Sequence, residues 1–145
     1  MADDRPETFA FRMIRREKQM NDSGTDRVKR ALRAVLSTVV WSTRVDTGFA
    51  RANWLVTKSR PSTRVVHDFP ASPKGSGGPT GPAVSALTIS RGLPTIEAMT
   101  AKNPGAWFTN NVPYIQIINY KYGDLMVERA MQVGNSVLKT GRFFN

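Results

Sequence analysis

Cysteine is absent from this 145-residue chain, and histidine occurs once, at position 67. Without cysteine, the chain can form neither a disulfide framework nor a thiolate metal site. The acidic residues are scattered and a second histidine is missing, so local spacing assembles neither a metal site nor a pair of catalytic carboxylates. We therefore expect no cofactor and no enzymatic activity.

Long hydrophobic runs are also missing. The longest, around residues 35–41 and 112–118, fall far below the roughly 18–20 residues that a bilayer span requires. The first residues, MADDRPETFAF, are acidic where a secretory signal is positively charged. These features predict a protein without a membrane span that is made and used in a cytosol-like compartment.

Positive charge is what the chain has in excess. It carries 21 lysines and arginines against 11 acidic residues, which gives a formal net charge of +10. Arginine outnumbers lysine, and arginine is preferred where planar contacts to phosphate or carboxylate form. Such a charge attracts nucleic acid, an anionic membrane surface or an acidic protein, and composition alone leaves these partners open.

Length and pattern predict one α+β domain, in which helices pack over a small antiparallel sheet. We expect a domain over residues 25–140, an N-terminal arm over 1–24 that holds a short strand or helical piece, and a tail over 141–145. Within the domain we predict a long first helix over 26–44 and a hairpin of two strands over 49–58 and 63–69. A flexible Gly/Pro-rich loop over 72–82, a short helix over 94–99 and a third strand over 106–109 follow. The last two elements are a helix that starts near Pro113 and a final helix over 124–139.

The first helix has two distinct faces. Apolar residues at three- and four-residue spacing from Val28 to Val39 predict a buried face, with Thr25 or Asp26 as the N-cap. The opposite side carries cations and one tryptophan. This side is either a solvated surface or a contact face for phosphates or an acidic neighbour. Its members are Arg30, Arg33, Ser37, Trp41 and Arg44.

The stretch VDTGFARANW, residues 45–54, predicts a tight turn that leads into a strand. Asp46 and Thr47 can hydrogen-bond the turn backbone, and Gly48 can adopt a positive φ angle. Alternation along the predicted strand places Trp54 on the apolar face and presents Arg51 on the other. Arg51 therefore joins the candidate basic contact face.

Two further features were considered as chemical sites. His67 stands beside Asp68 in a predicted strand, where neighbours point to opposite faces, so the pair cannot form a catalytic relay. The glycine-rich stretch 72–82 has threonine at position 80, where a dinucleotide fingerprint requires glycine and a Walker loop requires the first residue of Gly-Lys. Neither feature indicates a catalytic or nucleotide site.

Downstream, the Pro-Gly pair predicts a turn, and Asn110 and Asn111 predict the cap of a helix that carries Pro113 in its first turn. We expect this helix to bury Tyr114, Ile117 and Ile118. Between about residues 25 and 135 the notable segments occur in the order Val45-Asp46-Thr47-Gly48, Arg51, Asn53-Trp54, Pro104-Gly105, Asn110-Asn111-Val112-Pro113-Tyr114 and Met126-Val127.

In that order, these segments resemble the tail-completion or neck family of long-tailed bacteriophages, the group that includes phage lambda's Z-type minor tail protein. Members of the family show a basic first helix, a VDTG-type turn, an Asn-Trp pair, an NN-L-PY-type segment and a Met-Val pair. The chain departs from the family pattern at Asn119 and Lys121, where the family has glutamate and glycine, and its loop before Met126 is short.

The resemblance implies a structural virion protein at the head–tail junction, assembled in the bacterial cytoplasm as a ring around the DNA channel. A hexamer is favoured and twelve subunits are left open. The implied partners are further copies of the chain, a connector or stopper, a tail tube or terminator protein, and packaged DNA contacted without sequence readout. We expect the basic face to form the contacts with other subunits or with DNA in the channel, through Arg30, Arg33, Trp41, Arg44 and Arg51. The motif residues are expected to have structural roles: Asp46, Thr47, Gly48, Trp54, Asn111, Pro113 and Tyr114.

Two other classes compete with this reading. A nucleic-acid-binding module without sequence specificity would also be basic, although the chain shows no helix-turn-helix signature and no zinc spacing. A small nuclease or toxin-like enzyme is the third. Salt-resistant DNA binding would favour the second class, and turnover abolished by His67→Ala would favour the third.

Overall fold

A computed structural model describes residues 9–13, 22–102 and 105–140. The elements within these ranges give the α+β class that the sequence predicts: β1 (Phe9–Met13), α1 (Asp22–Ser42), α2 (Phe49–Ala52), β2 (Leu55–Thr57), α3 (Gly81–Glu97), β3 (Ala106–Asn110), a π-helical turn (Ile117–Lys121) and α4 (Met126–Thr140). The remainder of the predicted arm, Pro104 of the predicted Pro-Gly turn and the 141–145 tail lie outside the described residues.

The sheet has three antiparallel strands in the order β1-β3-β2. Its centre is β3, which the sequence places correctly. Phe9 pairs with Asn110 and Leu55 pairs with Thr109, so the two edge strands flank the same end of β3. Because β1 comes from the predicted arm, part of that arm belongs to the domain.

The long helix α1 supplies much of the core, with Val28, Leu32, Val35, Leu36 and Val39 fully buried as their spacing predicts. It packs against α4 and α3. The N-cap prediction is wrong, since α1 begins at Asp22 and both Thr25 and Asp26 lie inside it. It also ends at Ser42, so Arg44 stands beyond it.

The last helix has the inner face that its pattern predicts. Ala130, Gly134 and Val137 are buried, as is Met126 at its start. Asp124 was predicted to begin this helix, but it precedes α4, and its carboxylate pairs with Arg44 instead. No helix in the described ranges is both long and apolar enough to cross a membrane.

The predicted hairpin over 49–58 and 63–69 is wrong. Phe49–Ala52 is one turn of helix, because the Ala52 amide bonds the Gly48 carbonyl at 2.8 Å. Only Leu55–Thr57 forms a strand, and residues 61–68 run without strand pairing. An apolar run this short fits either a helix or a strand, so periodicity alone could not decide between them.

The helix predicted at 94–99 is the end of a longer one. α3 begins at Gly81 with Pro82 in its first turn, and Pro94 lies inside it. Gly92 lets α3 approach its neighbours, since a Cβ there would lie 2.7 Å from side-chain atoms of both Leu36 and Val56. Residues 72–80 form the irregular part of the predicted Gly/Pro-rich loop, and Gly81 and Pro82 belong to the helix.

Aromatic rings close the core over the sheet. Trp54 and Phe108 are among the largest fully buried side chains. Phe11 stacks on Phe108 with ring centroids 5.1 Å apart and meets Trp54 edge-on at 6.2 Å. The Trp54 indole N–H donates to Thr43 Oγ1 at 2.8 Å, so this buried donor is satisfied.

Gly48 has a φ angle of +98°, and a Cβ there would lie 3.0 Å from Val84 Cγ2. We expect Gly48→Ala to lower the free energy of unfolding by about 2–4 kcal/mol, combining left-handed strain with overpacking. Gly123→Ala is the matched control, because Gly123 also has positive φ but no atom within 4 Å. It should lose about 1–2 kcal/mol. Urea denaturation measures both; equal losses would show that Val84 yields without cost.

Candidate assembly interface

The predicted basic face is not a continuous surface of unpaired cations, because Arg33, Arg44 and Arg51 bond to groups within the subunit. Arg33 on α1 donates from Nε to Glu97 Oε1 at 2.6 Å and from Nη2 to Oε2 at 3.3 Å. The pair links α1 to α3, and its hydrogen bonds raise the pKa of Arg33 and lower that of Glu97. Both side chains are half exposed, so the pair stabilises the fold only modestly, but the charge of Arg33 is matched within the subunit.

Arg44 is also engaged. Its Nη2 lies 2.6 Å from Asp124 Oδ1, its backbone N–H donates to Oδ2, and its guanidinium carbon lies 4.7 Å from the centre of the Tyr122 ring. Burial acts to raise the pKa of Asp124, but the hydrogen bonds and charge of Arg44 outweigh it and hold that pKa below its ordinary value. Arg44 therefore braces the segment that precedes α4.

The prediction that Arg51 is presented on a strand face is wrong. Arg51 lies on α2 and its guanidinium turns back to the end of α1, donating to the Thr43 carbonyl at 2.6 and 2.9 Å and to the Trp41 carbonyl at 3.4 Å. A further N–H donates to Ser85 Oγ on α3. Burial lowers its pKa. Arg51 thus caps a helix C-terminus, where unpaired carbonyls and the helix dipole favour a cation.

Arg30 and Trp41 of the predicted face are also at the surface. Arg30 is exposed on α1, and Trp41 is 51% exposed with its ring over the Arg51 guanidinium at 5.3 Å. The Trp41 ring therefore screens one side of a partly buried cation.

The VDTG turn holds the Gly/Pro-rich loop in place through hydrogen bonds. Asp46 Oδ1 accepts the Gly75 amide at 2.7 Å, and the Thr47 carbonyl accepts the Ser72 amide at 2.9 Å. The Thr47 hydroxyl accepts the Phe49 amide at 3.3 Å. The turn thereby fixes both the start of α2 and the Gly/Pro-rich loop.

Asparagine side chains replace the missing strand pairing. Asn53 is buried; its amide donates to the Val66 carbonyl at 2.9 Å, and its oxygen accepts the Val66 amide. The Asn111 amide donates to the carbonyls of Ser62 and Arg64 at 2.8 and 2.9 Å. Asn110 does not cap a helix as predicted: its Oδ1 accepts the Val112 amide at 3.1 Å, which closes a turn, and the helical residues begin only at position 115, after Pro113.

A groove of about 670 Å³ lies between the VDTG turn and the segment after β3. Its lining includes Asp46 and Gly48 of the turn, Tyr114 and Tyr122 of the segment after β3, and Lys74. Burial raises the pKa of Tyr114, and the negative charge of Asp46 adds to this effect. The fold therefore brings together the two segments on which the family resemblance depends most.

Exposed apolar side chains, here called the aromatic ridge, are concentrated in the segment 114–125, which also contributes to the lining of this groove. Of seven exposed large hydrophobic side chains in the described residues, five lie within positions 114–125. The prediction that Tyr114 and Ile117 are buried is wrong; they are 41% and 47% exposed, whereas Ile115 and Ile118 face the core. The ridge consists of Tyr114, Ile117, Tyr120, Tyr122 and Leu125.

Tyr120 and Tyr122 of the ridge are not among the predicted site residues. A signal was present, because all three tyrosines of the chain fall within positions 114–122. It was overlooked because a helical reading of this segment places two of its aliphatic residues inside. In the structure Ile115 and Ile118 form the inner face instead, so Tyr114 and Ile117 lie on the outer face.

Polar side chains hold the ridge from below. Asn119 is buried; its oxygen accepts the Met126 amide at 2.6 Å, and its amide donates to Glu128 Oε1 at 2.9 Å. Leu125 has a φ angle of +47°, which is strained for a branched side chain. A π-helical turn and a strained residue together in one exposed segment are typical of functional sites.

Within the described ranges, no group of three His, Asp or Glu side chains is placed so that it could hold a metal ion. His67 is exposed, with its ring stacked on Phe49 at a centroid distance of 5.5 Å. Because residues 61–68 are not a strand, the alternation argument against a His67–Asp68 pair no longer applies.

The lowered pKa of Asp124 gives a test of the brace beneath the ridge. A carboxylate with a lowered folded pKa stabilises the fold fully above the ordinary Asp value of about 3.9 and loses that contribution as the pH falls through the folded value. We expect Asp124→Asn to reduce the free energy of unfolding by about 1–2 kcal/mol at pH 7 and by less below about pH 4.

The exposed Arg33–Glu97 pair supplies the control for this test. Glu97→Gln should change the free energy of unfolding by about 0.5 kcal/mol or less. Urea titrations of both variants between acid and neutral pH measure the difference. A loss for Asp124→Asn that stays constant down to the most acid pH would contradict the assigned ion pair.

Comparisons with protein-family models, curated proteins and solved structures found no match. The phage resemblance therefore depends on the order of the motifs in the sequence, and the site is described by its own geometry: a braced aromatic ridge beside a groove that joins the two principal motifs.

Proposed function

We propose that this chain is a structural subunit of a tailed-phage neck, which assembles into a ring around the DNA channel and helps complete the tail at the head–tail interface. The observation that carries the proposal is the aromatic ridge, five exposed apolar side chains in one braced segment beside the groove where the resembling motifs meet. Such a virion protein acts by contact and requires no catalytic site.

The composition of the ridge fits a protein interface. Tyrosine and arginine are enriched at interface hot spots, and here the Arg44 guanidinium lies against the Tyr122 ring at the edge of the ridge. Apolar side chains concentrated in one exposed segment mark association sites more often than scattered ones do. The ridge therefore has the chemistry expected of a subunit contact.

The backbone of the ridge is held in place before any partner arrives. Arg44 donates to the Tyr122 carbonyl at 3.3 Å, and Asn119 ties the π-helical turn to the start of α4. A preorganised surface loses less conformational entropy on binding than a loose loop does. These restraints favour a lasting structural contact.

The family resemblance implies a ring, and rings form when two different faces of each subunit meet in heterologous contacts that close. The aromatic ridge would supply one of these two faces. The connector or stopper and the tail tube or terminator protein would then bind above and below the ring.

A second candidate, a sequence-nonspecific nucleic-acid-binding module, is favoured by the net charge of +10. It leaves the aromatic ridge without a role unless bases stack on it, which would require single-stranded nucleic acid. Preference for single strands over duplex, with no self-association of the protein, would support this candidate.

The ridge can be tested with Ile117→Ser combined with Tyr120→Ser. Both side chains are exposed, so the variant should fold, with a circular dichroism spectrum like that of the wild type. Loss of two interface anchors should weaken self-association at least about tenfold. Sedimentation velocity and electron microscopy measure ring formation.

Val65→Ser is the control, because Val65 is an exposed apolar side chain outside the ridge. It should form rings as the wild type does. Normal rings from the ridge variant, or equal losses in both variants, would contradict the proposal.

A further inference from the structure

The ion pairs described above engage Arg33 and Arg44, whereas some other exposed cations have no acidic partner among the described residues. Lys58, Arg60 and Arg64 are exposed in the segment after β2, and Arg91 is exposed on the adjoining face of α3. These four residues are called the basic loop here. They share no residue with the aromatic ridge or with the predicted basic face.

The backbone of the basic loop is fixed by side chains. Thr57 Oγ1 donates to the Arg60 carbonyl at 2.5 Å, which closes the turn after β2. The Ser62 amide donates to Thr109 Oγ1 on the central strand, and the Asn111 amide holds the carbonyls on either side of position 63. The cationic side chains therefore project from a backbone of defined shape.

The cations of the basic loop lack acidic partners. Among the described residues, the side chains of Lys58, Arg60 and Arg64 form neither a salt bridge nor a hydrogen bond, and Arg91 bonds only the Asp68 carbonyl, at 3.1 Å. Asp68 is the single carboxylate lining the adjacent groove, which also contains Arg64 and Arg91. By contrast, Arg33 and Arg44 of the predicted face are both paired.

We propose that the basic loop contacts the sugar-phosphate backbone of duplex DNA without reading its sequence. This inference rests on the proposed function, since it assigns the surface of the ring that faces the channel. Unpaired guanidinium groups bind phosphate oxygens and release counterions. The loop carries one exposed large apolar side chain, Val65, so it lacks the aromatic anchors that a protein partner would engage, in contrast to the ridge.

The test uses the triple substitution Lys58→Gln, Arg60→Gln and Arg64→Gln in the full chain. Fluorescence anisotropy with a labelled 20-base-pair duplex of arbitrary sequence, over a series of salt concentrations, gives the affinity and its salt dependence. We expect at least about a tenfold loss of affinity, and a log-log salt slope shallower by about 3, because each lost phosphate contact removes about 0.9.

The matched control is Lys102→Gln, Arg129→Gln and Lys139→Gln, which removes three exposed cations elsewhere and lowers the net charge by the same amount. It should lose less than about threefold in affinity. Equal losses in the two triples would overturn the inference, because binding would then depend on net charge alone. Binding of poly-L-glutamate but not of duplex DNA by the wild type would overturn it too, in favour of an acidic protein partner.

The loop variant also separates this inference from the proposed function. Sedimentation velocity on the loop variant should show rings like those of the wild type, because the ridge is intact. If the loop variant forms rings and binds duplex DNA as tightly as the wild type, only the inference about the basic loop is overturned. A wild-type protein that binds duplex DNA but never forms rings would overturn the proposed function instead.

Discussion

The fold depends on how the C-terminal end of α1 is closed. A helix end leaves carbonyl groups without partners, and here the Arg51 guanidinium takes those of Trp41 and Thr43 while the Trp54 indole bonds the Thr43 hydroxyl. Both donors come from the short stretch just after the VDTG turn. Gly48 allows the chain to reverse tightly enough for them to reach back. The motif therefore serves the end of a helix and does not present a binding face.

The closure of α1 is one reason why the sheet is small. With residues 49–52 used as a helical turn, few residues remain for strands, and the segment after β2 is held instead by the amides of Asn53 and Asn111. Side-chain amides supply the same donors and acceptors as a strand. They leave the outward side chains of the segment unconstrained, and these are the cations of the basic loop. The Arg44–Asp124 pair and Asn119 support the aromatic ridge in a similar way.

The sequence was informative where periodicity is long and misleading where it is short. The buried faces of α1 and α4 followed from regular apolar spacing. The residues over 49–57 were too few for a period to be defined, so a helical turn was read as a strand. The burial of Arg51 could not be foreseen, because its partners are backbone carbonyls, which every residue has. The exposure of Tyr114 and Ile117 could not be foreseen either, because four of the five residues in 114–118 are apolar or aromatic and no single inner face is defined.

We propose that one small subunit carries two separate contact surfaces, the aromatic ridge for protein subunits and the basic loop for DNA. A cryo-electron microscopy reconstruction of the assembled protein tests this division most directly, because it locates both surfaces in the same particle. The account predicts a closed ring with Tyr120 and Tyr122 buried between subunits and Arg60 and Arg64 facing the axis. A ring with the tyrosines in solvent and the arginines on its outer rim would contradict it.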